Sequence, residues 1–334
     1  MRFVDLFAGA GGLSLGLKQA GHTPVFAAEQ NPHALATYRK NLGEHAHDLD
    51  IATLSPESIR RRAGEIDLVV GGPPCQGFSV QRRGAAEDDR NGLVVRFAEL
   101  AVALSPRFIL MENVPSVRGR GRRVLEAFER VTSASYDLAV QVLDAADYGV
   151  AQHRRRAFVV GWRKGSRPFD FPSPTSTPRT VRDALADLPA PPTDYRPHPD
   201  FPNHIRARIT APNIERIRHV PEGGGRLDIP HELQLPCHRN AGTHRHLDVF
   251  GRMWWDRPAP TLTAMFDNFS RGRFAHPVQD RSITGREGAR LQGFPDSFVF
   301  EGPKKEVARQ IGNAVPPPLA RALGGALENS LTTT

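Results

Sequence analysis

Cysteine is almost missing from this chain: Cys75 and Cys237 are the only two, and they lie far apart. Such a pair builds no disulfide framework, which excludes a disulfide-stapled secreted scaffold and points to a reducing, cytoplasmic compartment. Long apolar runs are missing too; none approaches the ~18 residues a membrane span needs. Met1-Arg2 leads straight into a strand pattern, without the apolar stretch of a secretory signal. Acidic residues are outnumbered, 36 Asp and Glu against 44 Lys and Arg, and the net charge of +8 is carried mainly by arginine. No basic amphipathic helix stands out, so the excess favours a polyanionic partner over a membrane surface. No internal repeat is evident.

What is present suits two domains: 334 residues, 39% of them hydrophobic and 24% charged. Strand patterns at 2–7, 23–28, 66–70, 107–111, 138–143 and 157–162 alternate with helical runs at 13–20, 32–41, 92–104 and 122–132. This alternation predicts an α/β fold with a doubly wound, mostly parallel sheet. Between 165 and 202 prolines crowd the chain, which excludes continuous helix or central strand apart from a short capped helix at 180–185. The expected organisation is a first domain at 1–178, a smaller second domain at 179–305, and a segment at 306–334 that returns to the first. A final helix is expected from about Pro317 to Leu327.

Several residues stand where open α/β sheets place their chemistry, at strand carboxyl ends. The run Gly71-Gly72-Pro73-Pro74-Cys75 follows a buried-strand pattern, and its prolines hold Cys75 on a stiff corner. A lone cysteine is commonly a small buried residue, but rigidity is wasted on a residue that merely packs, so Cys75 reads as a nucleophile. Ala8-Gly9-Ala10-Gly11-Gly12 forms a strand-to-helix turn suited to close backbone approach of a ligand. Glu29, about 20 residues on, is placed to accept hydrogen bonds from ribose hydroxyls. The spacing departs from the dinucleotide G-x-G-x-x-G, which favours an adenosyl ligand. Glu112 ends a further strand. Gln152-His153-Arg154-Arg155-Arg156 precedes another, with Arg154 and Arg156 expected on one side by their period of two. Read alone, that run is a solvated basic turn; read with Cys75 and Glu112, it supplies donors and a field that favours a thiolate.

Asp5-Leu6-Phe7-Ala8-Gly9, Pro73-Pro74-Cys75-Gln76, Glu112-Asn113-Val114, Gln152-His153-Arg154-Arg155-Arg156 and Gly312-Asn313-Ala314-Val315 occur in the order typical of one family. The chain resembles the DNA (cytosine-5) methyltransferases of bacterial restriction–modification type. The likeness spans 1–162 and about 258–325, including the scaffold-like run Arg286–Pro295. It implies an adenosylmethionine-dependent, Rossmann-like domain with a DNA-recognition domain. The activity implied is methyl transfer from S-adenosylmethionine to cytosine C5 in duplex DNA, on a base flipped from the stack.

By that resemblance the Cys75 thiolate attacks C6, and Glu112 holds or protonates N3 from a carboxyl of raised pKa. Arg156 binds the cytosine O2, with Arg154 in support. Gly9, Gly11 and Gly12 approach S-adenosylmethionine, Phe7 packs on its adenine and Glu29 takes its ribose. Asp50 and Ile51 face the adenine, Pro73 and Leu93 line the pocket, and Asn313 approaches from the returning segment. Gly77–Gly92 resembles the family's mobile catalytic loop, with Gln76, Ser79, Gln81, Arg82, Arg83 and Arg90 as DNA contacts. The run Arg118-Gly119-Arg120-Gly121-Arg122-Arg123 is either a solvated charged loop or a further backbone contact.

Arginine outnumbers the acidic residues between 190 and 262, where the family has its variable recognition region. Arg239, Arg245 and Arg252 are candidate readers of guanine edges. The Cys237-His238 and His244–His246 cluster lacks a C-x-x-C pair, so no metal is expected. Trp254-Trp255 reads as core. The expected partner is duplex DNA, with a cognate restriction endonuclease acting separately, and the expected state is a monomer. Three rivals compete. A nicotinamide-dependent dehydrogenase lacks its G-x-G-x-x-G here. A tRNA cytosine-5 methyltransferase carries a Cys-Phe-Thr signature, whereas Cys237 is followed by His238-Arg239. A DNA-binding protein without catalysis would have lost motif residues that are all present.

Overall fold

In the computed structural model, which describes residues 1–74, 91–174, 177–239 and 247–332, seven strands pair into one sheet. They are β1 (Arg2–Leu6), β2 (Thr23–Ala28), β3 (Ala46–His47), β4 (Leu68–Gly71), β5 (Phe108–Asn113), β6 (Tyr136–Asp144) and β7 (Arg155–Arg163). Their order is β3-β2-β1-β4-β5-β7-β6. The first five run parallel, while β7 is antiparallel to both β5 and β6. Crossover helices α1 (Gly12–Gln19), α2 (Pro32–Leu42), α3 (Pro56–Ala63), α4 (Asn91–Leu104) and α5 (Arg122–Thr132) connect the strands. This is the doubly wound, mostly parallel architecture the alternation predicts. Its central strands are apolar on both faces: Phe3, Val4, Leu6, Leu68, Val69, Val70, Ile109, Leu110 and Met111 are fully buried.

The chain divides into two compact units. The first holds Met1–Tyr148, Arg155–Thr175 and Val315–Thr334; the second holds Gly149–Arg154 and Ser176–Ala314. The division therefore runs through the Gln152–Arg156 motif, and the returning segment begins at Val315 rather than at 306. Within the first unit, α11 (Pro317–Thr332) packs on α1. The approach is close enough that a Cβ on Gly16 would lie 2.3 Å from the Pro317 carbonyl oxygen. Two elements were not legible in sequence. β3 is only two residues long, and α3 buries just Ile59 and Ala63 among arginines.

The second unit is built differently. Its helices α6 (Val181–Leu185), α7 (Ala211–Arg218), α8 (Pro236–Arg239), α9 (Gly285–Leu291) and α10 (Lys304–Asn313) are short. Among its described residues strand pairing is limited to isolated bridges such as Gln152 with Ala259 and Arg252 with Ala275. The α6 helix starts where expected, on a capping box of Thr180 and Asp183. A core of Ile217, Val220, Ile229, Phe250, Phe269 and Ala275 holds one part, and the mutually packed rings of Phe294, Phe298 and Phe300 another.

Gly71 is the tightest point of the central sheet. A Cβ there would stand 2.1 Å from the Leu6 carbonyl oxygen and 2.8 Å from Phe97 Cε2. Backbone in a parallel ladder cannot yield without loss of pairing, so Gly71→Ala should destabilise the protein by about 1–3 kcal/mol or more. A urea unfolding midpoint equal to wild type would show that the strands tolerate separation.

Candidate active site

Register brings the candidate residues to one edge of the sheet. Leu6 pairs with Gly71 and Gly71 with Met111, so β1 and β4 end level with one another while β5 runs on to Asn113. Phe7 to Gly9 and Gly72 to Pro74 leave the sheet beside Glu112, which is still paired in β5, at the switch point where open α/β sheets bind ligands.

The first turn is strained in the way a ligand cradle requires. Phe7, Gly9 and Gly11 all have positive φ, at 66°, 56° and 91°. A Cβ on Gly9 would meet nothing within 4 Å, leaving open space over the turn, while one on Gly11 would strike Leu42 and Tyr38. Gly12 opens α1 and is buried. Glu29 holds the turn in place: its carboxylate accepts from the Gly9 amide at 2.8 Å and from the Asn31 amide at 2.7 Å. Its expected role toward a ribose is thus added to a structural one.

Beneath the turn runs a buried polar chain that sequence reasoning missed. Ser14 Oγ donates to Asp5 Oδ2 at 2.6 Å, the Tyr38 hydroxyl donates to Ser14 Oγ at 2.9 Å, and His45 Nε2 lies 3.1 Å from the same hydroxyl. Burial pushes the Asp5 carboxyl up to about 7, against the opposing effect of the Ser14 hydrogen bond. The available signal was Asp5 itself, an acid set between the apolar Val4 and Leu6.

The other expected cofactor residues are scattered in character. Asp50 is exposed, and its carboxylate caps its own turn by accepting from the Ala52 amide. Ile51 is buried in the main core, Pro73 is buried, and Leu93 is half-buried in the first turn of α4. Asn313 is exposed at the end of α10, in the second unit.

At the end of β5, Arg156 Nε lies 3.0 Å from Glu112 Oε1, both side chains being about five-sixths buried. The antiparallel register that pairs Glu112 with Phe158 sets this diagonal contact across β5 and β7. A Cβ on Gly72 would be 3.1 Å from Glu112 Oε2, so the carboxylate lies against the turn that leads to Cys75. Asn113 ties the two strand ends together: its Nδ2 donates to the Pro73 carbonyl at 3.3 Å. An Asn of low strand propensity closing a buried strand was the sequence signal for it. Cys75 itself, with Gln76, Ser79, Gln81, Arg82, Arg83 and Arg90, lies outside the described residues, as does Arg245.

Two arginine expectations are corrected. Arg154 does not share a side with Arg156. It precedes β7, is buried in the second unit, and donates to the carbonyls of Leu262 at 3.2 Å and Gly312 at 2.8 Å. Arg252 does not face outward to read bases. It is 4% exposed and donates to the carbonyls of Val220, Ile217, His276 and Gln279 and to the Asp280 carboxylate. Arg239 is exposed, with donors on the carbonyls of Gln234 and Glu232. Trp254, expected in the core, is half-buried between the guanidinium groups of Arg257 and Arg273.

Residues 1–329 match the model of the C-5 cytosine-specific DNA methylase family. The chain belongs to that family. Its activity class is methyl transfer to C5 of cytosine in DNA. Among curated relatives it is similar to the type II methyltransferase M1.HphI of Haemophilus parahaemolyticus, 35% identical over 98% of this chain and 86% of that one. It is also similar to the type II methyltransferase M.DdeI of Desulfomicrobium norvegicum, 32% identical over 97% and 87% of the two chains. A solved Escherichia coli structure, described as a prophage-encoded DNA modification methyltransferase, superimposes with a TM-score of 0.79 at 28% identity, covering both chains fully. Among the described residues no helix is long and apolar enough to cross a membrane.

The buried Asp5 makes a pH prediction. Its folded-state value is raised from 3.8 to about 7, so the folded protein binds the proton more tightly than the unfolded chain. This group's contribution is fully present below about pH 4 and is lost as pH rises toward 7. Asp5→Asn should therefore gain stability relative to wild type across that window, by on the order of a few kcal/mol. Parallel urea titrations between pH 4.5 and 8 that keep a constant difference would refute the raised value.

Proposed function

We propose that this chain is the modification methylase of a type II restriction–modification pair. It transfers a methyl group from S-adenosylmethionine to C5 of one cytosine within a specific duplex DNA sequence. It works as a monomer on bacterial chromosomal or phage DNA, with the cognate endonuclease acting separately. The observation that carries this reading is the Glu112–Arg156 pair, lodged against the Gly72–Pro74 turn that leads into Cys75.

The residues around the first turn fit an adenosyl group. Open space over Gly9 admits a ligand, and the start of a helix suits its polar atoms. Phe7, Glu29, Asp50, Ile51, Pro73, Leu93 and Asn313 are the further residues proposed to hold it. When bound, S-adenosylmethionine supplies an electrophilic methyl group.

This chain's own residues would do the remainder. Cytosine C5 is a poor carbon nucleophile, and chemistry on it inside a duplex is sterically blocked, so the base leaves the stack at a cost of a few kcal/mol. The Cys75 thiolate adds to C6, and the C5–C6 double-bond electrons become available at C5. Glu112 binds N3 and delivers a proton there as charge builds on the ring. Arg156 orients the Glu112 carboxylate through its Nε and donates to the cytosine O2. After methyl transfer, loss of the C5 proton restores the double bond and expels the thiolate. Arg154 acts on this site only as a fastening of the second unit, which we read as the target-recognition domain.

Duplex DNA carrying 5-fluorocytosine at the target position tests the mechanism, because fluorine cannot leave as a proton does. With S-adenosylmethionine present, wild type should form an adduct that survives denaturation, and Cys75→Ser should form none. Absence of a wild-type adduct, or Cys75→Ser turnover within about tenfold of wild type, would remove Cys75 from the nucleophile role. Glu112→Gln should slow methyl transfer by ~100-fold or more while leaving cofactor affinity nearly intact. A parallel collapse of cofactor binding would assign Glu112 to the cofactor pocket. Preference for tRNA over duplex in direct competition would replace the DNA reading with an RNA one.

A further inference from the structure

The turn that follows the candidate catalytic strand carries a concentrated positive charge. Residues Pro115–Arg118 form a single 3-10 turn, and Gly119 to Gly121 lead into α5. Arg118, Arg120, Arg122 and Arg123 are all exposed. The backbone beneath them is pinned. The amides of Gly119 and Gly121 both donate to the Ser116 carbonyl, at 3.0 and 2.9 Å, and the Arg122 amide donates to the Gly119 carbonyl at 3.0 Å. Val117 and Phe128 are fully buried, and Val124 and Leu125 nearly so, which anchors the turn from both sides. Four guanidinium groups are thus held within one short, fixed segment.

Taken by itself this arrangement is unfavourable. Like charges repel, and α5 begins with Arg122-Arg123 and has no acidic residue in its first turn, where the helix field prefers negative charge. Arg122 has Glu126 at 2.9 Å; for Arg118, Arg120 and Arg123 no ion pair is found among the described residues. The repulsion is offset when a densely charged anion lies across the group.

We infer that Arg118, Arg120 and Arg123 form a clamp on the DNA backbone, contacting the phosphates that flank the flipped cytosine. The inference rests on the reading that the chain acts on duplex DNA, since a base at Glu112 must bring its neighbouring phosphates past the next turn of the chain. Duplex DNA presents about one negative charge per 1.7 Å of axis, so several guanidinium groups on one turn can each meet a separate phosphate. Such contacts position the duplex and carry no sequence information.

The test is the salt dependence of binding. Affinity for a target duplex would be measured across salt concentrations for wild type, for Arg118→Gln/Arg120→Gln/Arg123→Gln, and for the corresponding triple lysine variant. Each lost phosphate contact lowers the slope of log affinity against log salt by about 0.9, so the glutamine variant should lose about 2 to 3 from the slope. The lysine variant should keep most of it. Arg130→Gln, an exposed charge at the far end of α5, should leave the slope unchanged. S-adenosylmethionine affinity equal to wild type and a thermal midpoint no lower than wild type serve as checks on folding. A glutamine variant with the wild-type slope, or an Arg130→Gln variant that loses as much, would overturn the clamp while leaving the methylase reading intact. A wild-type protein that neither binds nor methylates duplex DNA would overturn the reading on which the clamp rests.

Discussion

The approach of the Leu6 carbonyl to Gly71 is the contact on which the candidate site depends. Only a residue without a Cβ lets β1 and β4 pair at that level, and the same residue continues the register into β5. Because β1 and β4 end level beside the last residues of β5, the glycine turn, the Gly72–Pro74 corner and Glu112 stand at neighbouring points. None of these pieces is a site alone. A turn with positive φ is a place for a ligand, a proline corner is a stiff support, and a largely buried carboxylate with an arginine is an ion pair. The shared register converts them into one surface, and the Asn113–Pro73 hydrogen bond ties the end of β5 to the corner after β4.

The second unit solves a different problem. With few ladders, its buried carbonyls need donors from elsewhere. Arginine supplies them: Arg154, Arg226, Arg252, Arg273 and Arg286 are all at least nine-tenths buried, and each donates to backbone carbonyls elsewhere in the unit. Arg281 instead forms a two-pronged pair with Glu287, at 2.6 and 2.7 Å. Burial raises the Glu287 carboxyl, but Arg281 overcomes that and holds it down at about 2. Lysine could not substitute in such positions, since a point charge with rotating donors lacks the planar fork that spans two or more carbonyls.

Much of the first unit was legible because its signals are local. Short apolar runs, such as Leu68–Val70 before Gly71-Gly72, gave the central strands, and Pro32 announced the start of α2, where the Asn31 side chain accepts from the Ala34 amide. The site edge was legible for the same reason, since chemistry-bearing residues followed strand patterns directly. The fastenings were not. The contact of Arg154 with Gly312 spans 158 positions, and that of Arg252 with Ile217 spans 35. No periodicity connects such partners. A period of two suggested that Arg154 and Arg156 share a side, but β7 begins only at Arg155, so the alternation does not extend back to Arg154.

The two uses of arginine also change what the net charge of +8 means. A formal count weights the fully buried Arg226 and Arg281 equally with the exposed Arg118 and Arg120. Buried guanidinium groups have their donors committed to carbonyls and carboxylates, and a polyanion cannot reach them. Their charge acts on DNA only at long range, weakened by salt within about 10 Å. Between 190 and 262 that commitment accounts for the buried Arg226 and Arg252, while Arg196, Arg208, Arg218, Arg239 and Arg257 stay exposed. The charge that can release counterions belongs to the exposed groups, and in the first unit Arg118, Arg120, Arg122 and Arg123 gather such charge at the turn just beyond Glu112.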